Sequence, residues 1–151
     1  FPSAFRTRRI APMSKMSVNN IEEVFVIQKF SGLLLGSASA ETTVDRDVVA
    51  GMLTAIKGFV EDAFKRKNED LEMIQYGSYS IIIQNFHTYY LAIATRGTLT
   101  LQQKNKLYDN SLELGKQHLN RLVNQPDNTT SSKIEHQLRV HFFNNSLPQL
   151  N

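Results

Sequence analysis

The chain has 151 residues, of which 41% are hydrophobic and 21% charged, as expected for one globular domain with its own core. It contains no cysteine, which excludes disulfides, thiolate metal sites and a cysteine nucleophile, and no run approaches the roughly 20 apolar residues that span a bilayer. The net charge of +3 arises at the N-terminus, where Arg6, Arg8, Arg9 and Lys15 precede the first acidic residue; the other 13 basic and 14 acidic residues nearly cancel. Nucleic-acid binding needs basic groups clustered on a folded surface, so it is not expected.

The first 20 residues differ from the rest, because they contain two prolines and show neither helical nor strand periodicity. We interpret residues 1–20 as a flexible basic arm. Its arginine-rich, acid-free composition resembles that of an organelle transit peptide or a membrane-surface tether, and a solvated leader is the alternative. Membrane contact is therefore expected only through this arm or through a larger complex, and the expected location is the cytoplasm.

A β-hairpin and a long helix are predicted after the arm. Residues 24–27 and 33–36 are short apolar runs separated by a Ser-Gly turn. Residues 44–64 follow the i, i+3, i+4, i+7 spacing of a single apolar helical face, with Thr42 or Thr43 as the predicted N-cap. The apolar positions of this helix are Val44, Val48, Val49, Met52, Leu53, Ile56, Phe59, Val60, Ala63 and Phe64.

Three further strands are predicted at residues 71–76, 79–84 and 88–95, with short turns that favour an antiparallel meander. The middle one is apolar on both faces, which predicts a central position covered on both sides. Gly97 ends the sheet, and Thr98 or Thr100 is the predicted cap of a second long helix.

The C-terminal part begins after that second helix, which is predicted to extend to about residue 124. Residues 125–132 are polar, Pro126 prevents helix continuation, and residues 133–144 favour a short final helix. The predicted division is therefore an arm at 1–20, a domain at 21–124, and a linker with a short helix or tail at 125–151. The predicted fold class is α+β, with a five-stranded antiparallel sheet.

The predicted element order, ββαβββα with an extra C-terminal helix, resembles the profilin-like architecture shared by the Roadblock (dynein light-chain type) and longin families. Residues 45–64 resemble a motif of prokaryotic Roadblock-like proteins, in which an acidic start precedes a Met-Leu-Thr-Ala-Ile core and an Asp-x-Phe ending. The resemblance covers residues 23–123, including Gly77 and Gly97. It departs from the motif at residues 57–58 and 63.

This resemblance implies a non-enzymatic adaptor that needs no cofactor, metal or catalytic side chain. Members of these families form homodimers or heterodimers, and the pair serves as a platform for small Ras-like GTPases or for motor, trafficking and polarity complexes. The implied partner is thus another copy, a paralogous subunit or a small GTPase. The resemblance transfers no GTPase-contacting residue to this chain.

The long helix also contains a strip of small residues that predicts a contact with another helix. Gly51, Ala55 and Gly58 stand four and three residues apart, so they share one side of the helix, beside Thr54 and Asp62. Glycine inside a helix lowers helix stability by up to about 1 kcal/mol relative to alanine. A strip of residues this small permits close backbone approach by another helix. We expect these five residues to contact a second subunit, while an edge strand extends the sheet. The alternatives are exposure without contact and packing of the C-terminal helix.

Other side chains indicate no chemistry. His136 and His141 are five residues apart and miss the four-residue spacing of a helical metal site, while His87 and His118 are isolated, and the adjacent acidic pairs diverge within an element. One alternative function is a sensory or small-molecule-binding domain of related sheet architecture, in which aromatic residues line a pocket; cross-strand packing is the other interpretation of these residues. The aromatic set is Tyr76, Tyr79, Phe86, His87, Tyr89 and Tyr90.

Overall fold

The computed structural model describes residues 21–40, 45–66 and 72–143, without the side chains at 46, 62–66 and 72. The predicted arm, the predicted caps Thr42 and Thr43, and the chain after residue 143 lie outside the described residues. The elements in chain order are β1 (Ile21–Gln28), β2 (Leu34–Ser39), α1 (Arg46–Arg66), β3 (Glu72–Tyr76), β4 (Tyr79–Asn85), β5 (Tyr89–Arg96), α2 (Leu101–Leu114), a first π-helical turn (Gly115–Leu119), α3 (Asn120–Asn124), α4 (Thr130–Leu138) and a second π-helical turn (Arg139–Phe143).

The five strands form one antiparallel sheet in the order β2-β1-β5-β4-β3. The predicted hairpin and the predicted meander are therefore confirmed. They are joined by pairing of β1 with β5, in which Val24 lies opposite Ile93 and Val26 opposite Leu91. This pairing makes β5 the middle strand. β4 lies between β5 and the edge strand β3, so it is an interior strand covered on both faces, as predicted. The sequence could not show which interior strand is the middle one, because both strands are apolar on both faces.

Alternation along the strands divides the core between the two faces of the sheet. Val24, Val26, Ile82, Leu91 and Ile93 point to the face that carries the C-terminal helices, where Ile134, Leu138 and Phe142 are buried. Their neighbours along the strands, including Phe25, Ile81 and Ile83, point to the opposite face, which carries α1. The sheet is thus a middle layer between one helix and a set of C-terminal helices.

The N-terminus of α1 is capped by Asp45. Its Oδ1 accepts hydrogen bonds from the backbone N–H groups of Asp47 at 3.0 Å and Val48 at 3.4 Å. An aspartate immediately before a helix is a good N-cap, because its side chain accepts from the free N–H groups of the first turn. The helix therefore begins at Arg46, two residues later than predicted.

The second long helix begins with the predicted Thr100 cap. The Thr100 Oγ1 accepts from the N–H of Gln103, whose side chain accepts from the N–H of Thr100, so the two form a capping box. The helical path continues from α2 through the first π-helical turn into α3 and ends at Asn124, as predicted. The π-helical turn itself was not predicted.

The turn between α3 and α4 is shorter than the predicted linker. The N–H of Asp127 donates to the Thr130 Oγ1 at 2.7 Å, and Asp127 Oδ1 accepts from the Thr129 N–H at 2.7 Å. These bonds allow α4 to begin at Thr130 rather than at residue 133. In the part of the chain that the structure describes, none of the helices is long and apolar enough to cross a bilayer.

Candidate interaction surface

A groove separates α1 from the turn between β1 and β2, and its cavity has a volume of about 220 Å³. Leu53 and Val60 form its helical side, and Ile27, Phe30 and Leu34 form its strand side. We call these five residues and the space between them the apolar groove.

The β1–β2 turn fixes the strand side of the apolar groove. The Gly32 N–H donates to the carbonyl of Gln28 at 2.9 Å, and the Gln28 N–H donates to the carbonyl of Leu33 at 2.8 Å. Gly32 has a φ of 73°, a conformation that glycine adopts readily, so the predicted turn position is confirmed. Within this closed turn, Phe30 projects to the surface.

The rim of the apolar groove exposes large hydrophobic side chains. Phe30 is 79% exposed, Leu33 62% and Leu34 44%. Isolated exposed hydrophobic residues are ordinary, but adjacent ones beside a groove are typical of interaction surfaces. The rim is therefore the strongest candidate for a partner contact on this face.

The helical side continues from the groove onto an exposed ridge of α1, formed by Thr54, Lys57, Gly58 and Glu61. The Thr54 hydroxyl donates to the carbonyl of Ala50 at 3.0 Å. The methylene stem of Lys57 lies against the β1–β2 turn, because a Cβ added to Gly32 would be 3.2 Å from Lys57 Cε. Lys57 and Glu61 give the ridge two opposite charges, one helical turn apart.

The five predicted interface residues have different surroundings. A Cβ at Gly51 would lie 2.0 Å from the Tyr76 Oη, so the absence of a side chain there accommodates β3 of the same chain. Gly58 has no atom within 4 Å of its hypothetical Cβ, Thr54 is exposed at the groove, and Ala55 is half-buried. The side chain of Asp62 lies outside the described residues. The structure therefore brings Thr54 and Gly58 together on the exposed ridge and gives Gly51 an intramolecular role.

The aromatic residues near the meander are distributed over different contacts. The Phe86 and Tyr89 rings stack at 4.6 Å, and the buried Tyr89 hydroxyl donates to Asn120 Oδ1 at 2.8 Å. Burial raises the pKa of Tyr89 well above its usual value, so its phenol remains a donor. Tyr79 instead lies at the surface against the Arg96 guanidinium, 5.0 Å from ring centre to Cζ. None of the described residues that line the apolar groove is a tyrosine.

Two charged groups lie at the start of β1 and at the end of β5. Burial raises the pKa of the Glu23 carboxyl, and a hydrogen bond with Ser39 and the positive charge of Arg139 partly oppose that effect. The exposed Arg96 pairs with Glu22 at 3.3 Å, which raises the pKa of its guanidinium. Among the residues whose positions the structure gives, no three His, Asp or Glu side chains are grouped to hold a metal ion.

A histidine pair on the opposite face was not predicted. The rings of His118 and His141 meet edge to face with centroids 5.7 Å apart, because the first π-helical turn packs near the second. His118 also lines a cleft of about 230 Å³ between the helical segments around α3 and α4. Spacing within one helix cannot reveal this contact, since its two members belong to different helices.

No protein-family model and no curated protein matches this chain.

Proposed function

We propose that this chain is a non-enzymatic dimerising adaptor of Roadblock or longin type, with profilin-like architecture. The observation that carries the proposal is the apolar groove beside the exposed ridge of α1. An adaptor needs a surface that binds a partner, and this surface combines exposed hydrophobic side chains with a preformed concavity.

The widths of the layers explain why the α1 face remains open. Five strands at about 4.8 Å spacing place the outer strands about 19 Å apart, whereas one helix with its side chains is about 10–12 Å wide. In the part of the chain that the structure describes, this one helix therefore leaves part of the five-stranded face uncovered. On the opposite face, the continuous helical segment from α2 to α3 and the helix α4 both pack against the sheet. A helix from a second molecule would complete the α1 face in the same way.

The charges of the ridge favour a second copy as that partner. Lys57 and Glu61 are four residues apart on α1 and carry opposite charges. In a two-fold arrangement of antiparallel helices, Lys57 would lie beside the partner's Glu61 and the reverse, because an isologous interface uses each contact twice. Gly58 would lie near the crossing, where the absence of a Cβ permits close approach.

The edge strand β3 offers a second element for the same dimer. Among the described strands it pairs with β4 alone, and Met73 on it is 43% exposed. An unprotected edge strand readily pairs with another chain. Such a dimer in the cytoplasm would be a platform for a paralogous subunit, a small Ras-like GTPase, or a motor, trafficking or polarity complex.

Sedimentation velocity of the full chain tests the dimer. We expect the unmodified protein to sediment as a dimer and the double variant Thr54→Arg/Gly58→Arg to sediment as a monomer, because four arginines would meet at the contact. Asn105→Arg, at an exposed position of α2 on the opposite face, is the matched control and should remain dimeric. Gly51 is unsuitable for this test, because any side chain there collides with Tyr76.

The same experiment can refute the proposal. A monomeric unmodified protein at concentrations well above the micromolar range would contradict it, as would a dimer that persists in the double variant. Circular dichroism of all three proteins should show equal helix content, so that loss of the dimer is not confused with loss of the fold.

A further inference from the structure

A basic cleft lies between the helical segment that contains α3 and the facing helix α4, on the side of the molecule opposite the apolar groove. Its basic side chains are His118, Arg121, Lys133 and His136, and Ser132 and Gln137 add polar groups. None of the described residues that line the cavity is acidic. Arg121 and Lys133 thus place two positive charges beside one cavity, and His118 and His136 add two imidazole groups.

Two facing pairs build the cleft. His118 and Arg121 are three residues apart on one helical segment, and Lys133 and His136 are three residues apart on α4, so each pair occupies one side of its helix. The first π-helical turn contains His118, and π-helical turns of this kind occur frequently at functional sites. The turn through Asp127 and Thr130 sets the separation of the two helices.

Two acidic side chains close in sequence to the cleft have partners of their own. Glu135 pairs with Arg139 at 3.0 Å, and Asp127 accepts hydrogen bonds from Thr129. These hydrogen bonds lower the pKa of the Asp127 carboxyl, and the positive charge of Lys133 lowers it further. Arg121 and His136 are exposed at the cleft and could turn toward an anion without breaking a described salt bridge.

His118 lies among other basic groups at the cleft. Partial burial lowers the pKa of His118, and the positive charges of His141 and Arg121 lower it further. Lys133 and His136 approach the same cavity from α4, and His141 approaches the His118 ring from the second π-helical turn. An anion in the cleft would offset these like charges and favour protonated His118.

We propose that the basic cleft binds a phosphate monoester group. Arginine and lysine hold phosphate oxygens through charge-assisted hydrogen bonds, and protonated histidines and a serine hydroxyl can add donors. A cavity of about 230 Å³ is smaller than the roughly 300–1,000 Å³ typical of drug-sized ligands. Its size therefore suits the phosphate group itself, either from a free phosphorylated compound or from a lipid headgroup, while the rest of the ligand extends into solvent.

Nuclear magnetic resonance of the histidine ring protons in the full chain tests this proposal with inorganic phosphate. We expect saturable shifts at His118 and His136 and a rise in the pKa of His118 when phosphate is bound. The double variant Arg121→Gln/Lys133→Gln should weaken binding about tenfold or more, since it removes two charge-assisted contacts. Lys104→Gln/Lys106→Gln removes two charges from α2 and is the matched control, which should bind as the unmodified protein does.

A second arm distinguishes the sources of the phosphate group. Phosphatidylcholine vesicles with and without phosphatidylinositol phosphate are sedimented with the unmodified protein and with both double variants. Co-sedimentation that requires the phosphorylated lipid, Arg121 and Lys133 supports a headgroup site, while saturable binding of inorganic phosphate alone supports a soluble ligand. The proposal is overturned if neither arm depends on Arg121 and Lys133, or if the control variant loses binding equally. The outcome does not depend on dimerisation, because the cleft belongs entirely to one protomer.

Discussion

The two faces of the sheet differ in how completely they are covered. On the face of the C-terminal helices, Leu107, Leu114, Ile134, Leu138 and Phe142 are all almost fully buried. On the other face, the described side chains of α1 that are fully buried are Met52 and Ile56, and the remaining apolar residues that pack against this part of the core are half-buried: Val48, Val49, Leu53, Phe59 and Val60. The comparison teaches that a strongly periodic helix can still leave its face of the domain incomplete.

The reason is geometric. The single helix α1 approaches the centre of the sheet closely, because β5 presents the small side chains Ala92 and Ala94 to it. Its flanks then lie over the space toward the sheet edges, where Tyr76 fills one side and the apolar groove remains on the other. On the opposite face, the cavity between the α3 and α4 segments is lined mainly by polar and basic side chains instead.

The largest expected difference between the faces concerns truncation of leucines. Leu138→Ala removes a fully buried side chain and should reduce the free energy of unfolding by about 2–5 kcal/mol. Leu53→Ala, on the half-buried flank of α1, should cost the monomer about 1 kcal/mol or less. Urea unfolding of each variant, measured in the monomeric Thr54→Arg/Gly58→Arg background, gives the two values. Equal losses would show that the α1 face is as closed as the other.

A smaller effect is expected from alanine at two helical glycines. A Cβ at Gly115 would lie 2.3 Å from Cε1 and 2.7 Å from Cζ of the Phe86 ring, so Gly115→Ala should cost about 1–3 kcal/mol through overpacking. Gly58→Ala meets no atom within 4 Å and should stabilise the monomer by about 0.5–1 kcal/mol through helix propensity. Thermal unfolding should therefore shift in opposite directions. A gain at both positions would contradict the close packing assigned to the C-terminal face.

The smallest expected effect concerns the buried carboxyl of Glu23, which interacts with Arg139 at the boundary of the closed face. Burial raises the pKa of Glu23 in the folded state above its unfolded value, so the folded protein binds the proton more strongly. The free energy of unfolding therefore falls as the pH rises through the unfolded-state and folded-state pKa values of Glu23. At neutral pH, the charged carboxyl destabilises the folded state. Glu23→Gln should be more stable than the unmodified protein at about pH 7 and equally stable near pH 3. Urea unfolding at both pH values measures the difference, and Ser39→Ala controls for the local hydrogen bond.

Local features of the sequence predicted most elements but not their neighbours in space. The spacing of Met52, Leu53 and Ile56 is visible within one helix, and Ser31 with Gly32 marks a turn by its own conformational preference. Gly51, by contrast, has its contact in Tyr76, which lies 25 residues later in the chain. A strip of small residues looks the same whether it accommodates its own chain or another one, so sequence alone could not distinguish the two.

The candidate sites were likewise predicted only where the signal lies within one element of the sequence. Thr54 was predicted because it lies beside the glycines, whereas Phe30 and Leu34 were assigned only to a hairpin. Their exposure depends on where α1 crosses the sheet, which no local pattern specifies. The basic cleft was missed for a related reason, since Arg121 and Lys133 come together only because the turn at Asp127 folds α4 back along α3.

The sequence by itself determined the helices, the strands and most turns, because hydrophobic periodicity, capping residues and glycine conformations act over a few neighbouring residues. Only the tertiary structure decided that β1 pairs with β5, that α1 alone among the described helices covers its face, and that four basic side chains surround one cleft. Those features depend on contacts between segments that are far apart in the sequence. Several pairings of apolar strands satisfy the same local pattern, and the packing of the whole chain selects one of them.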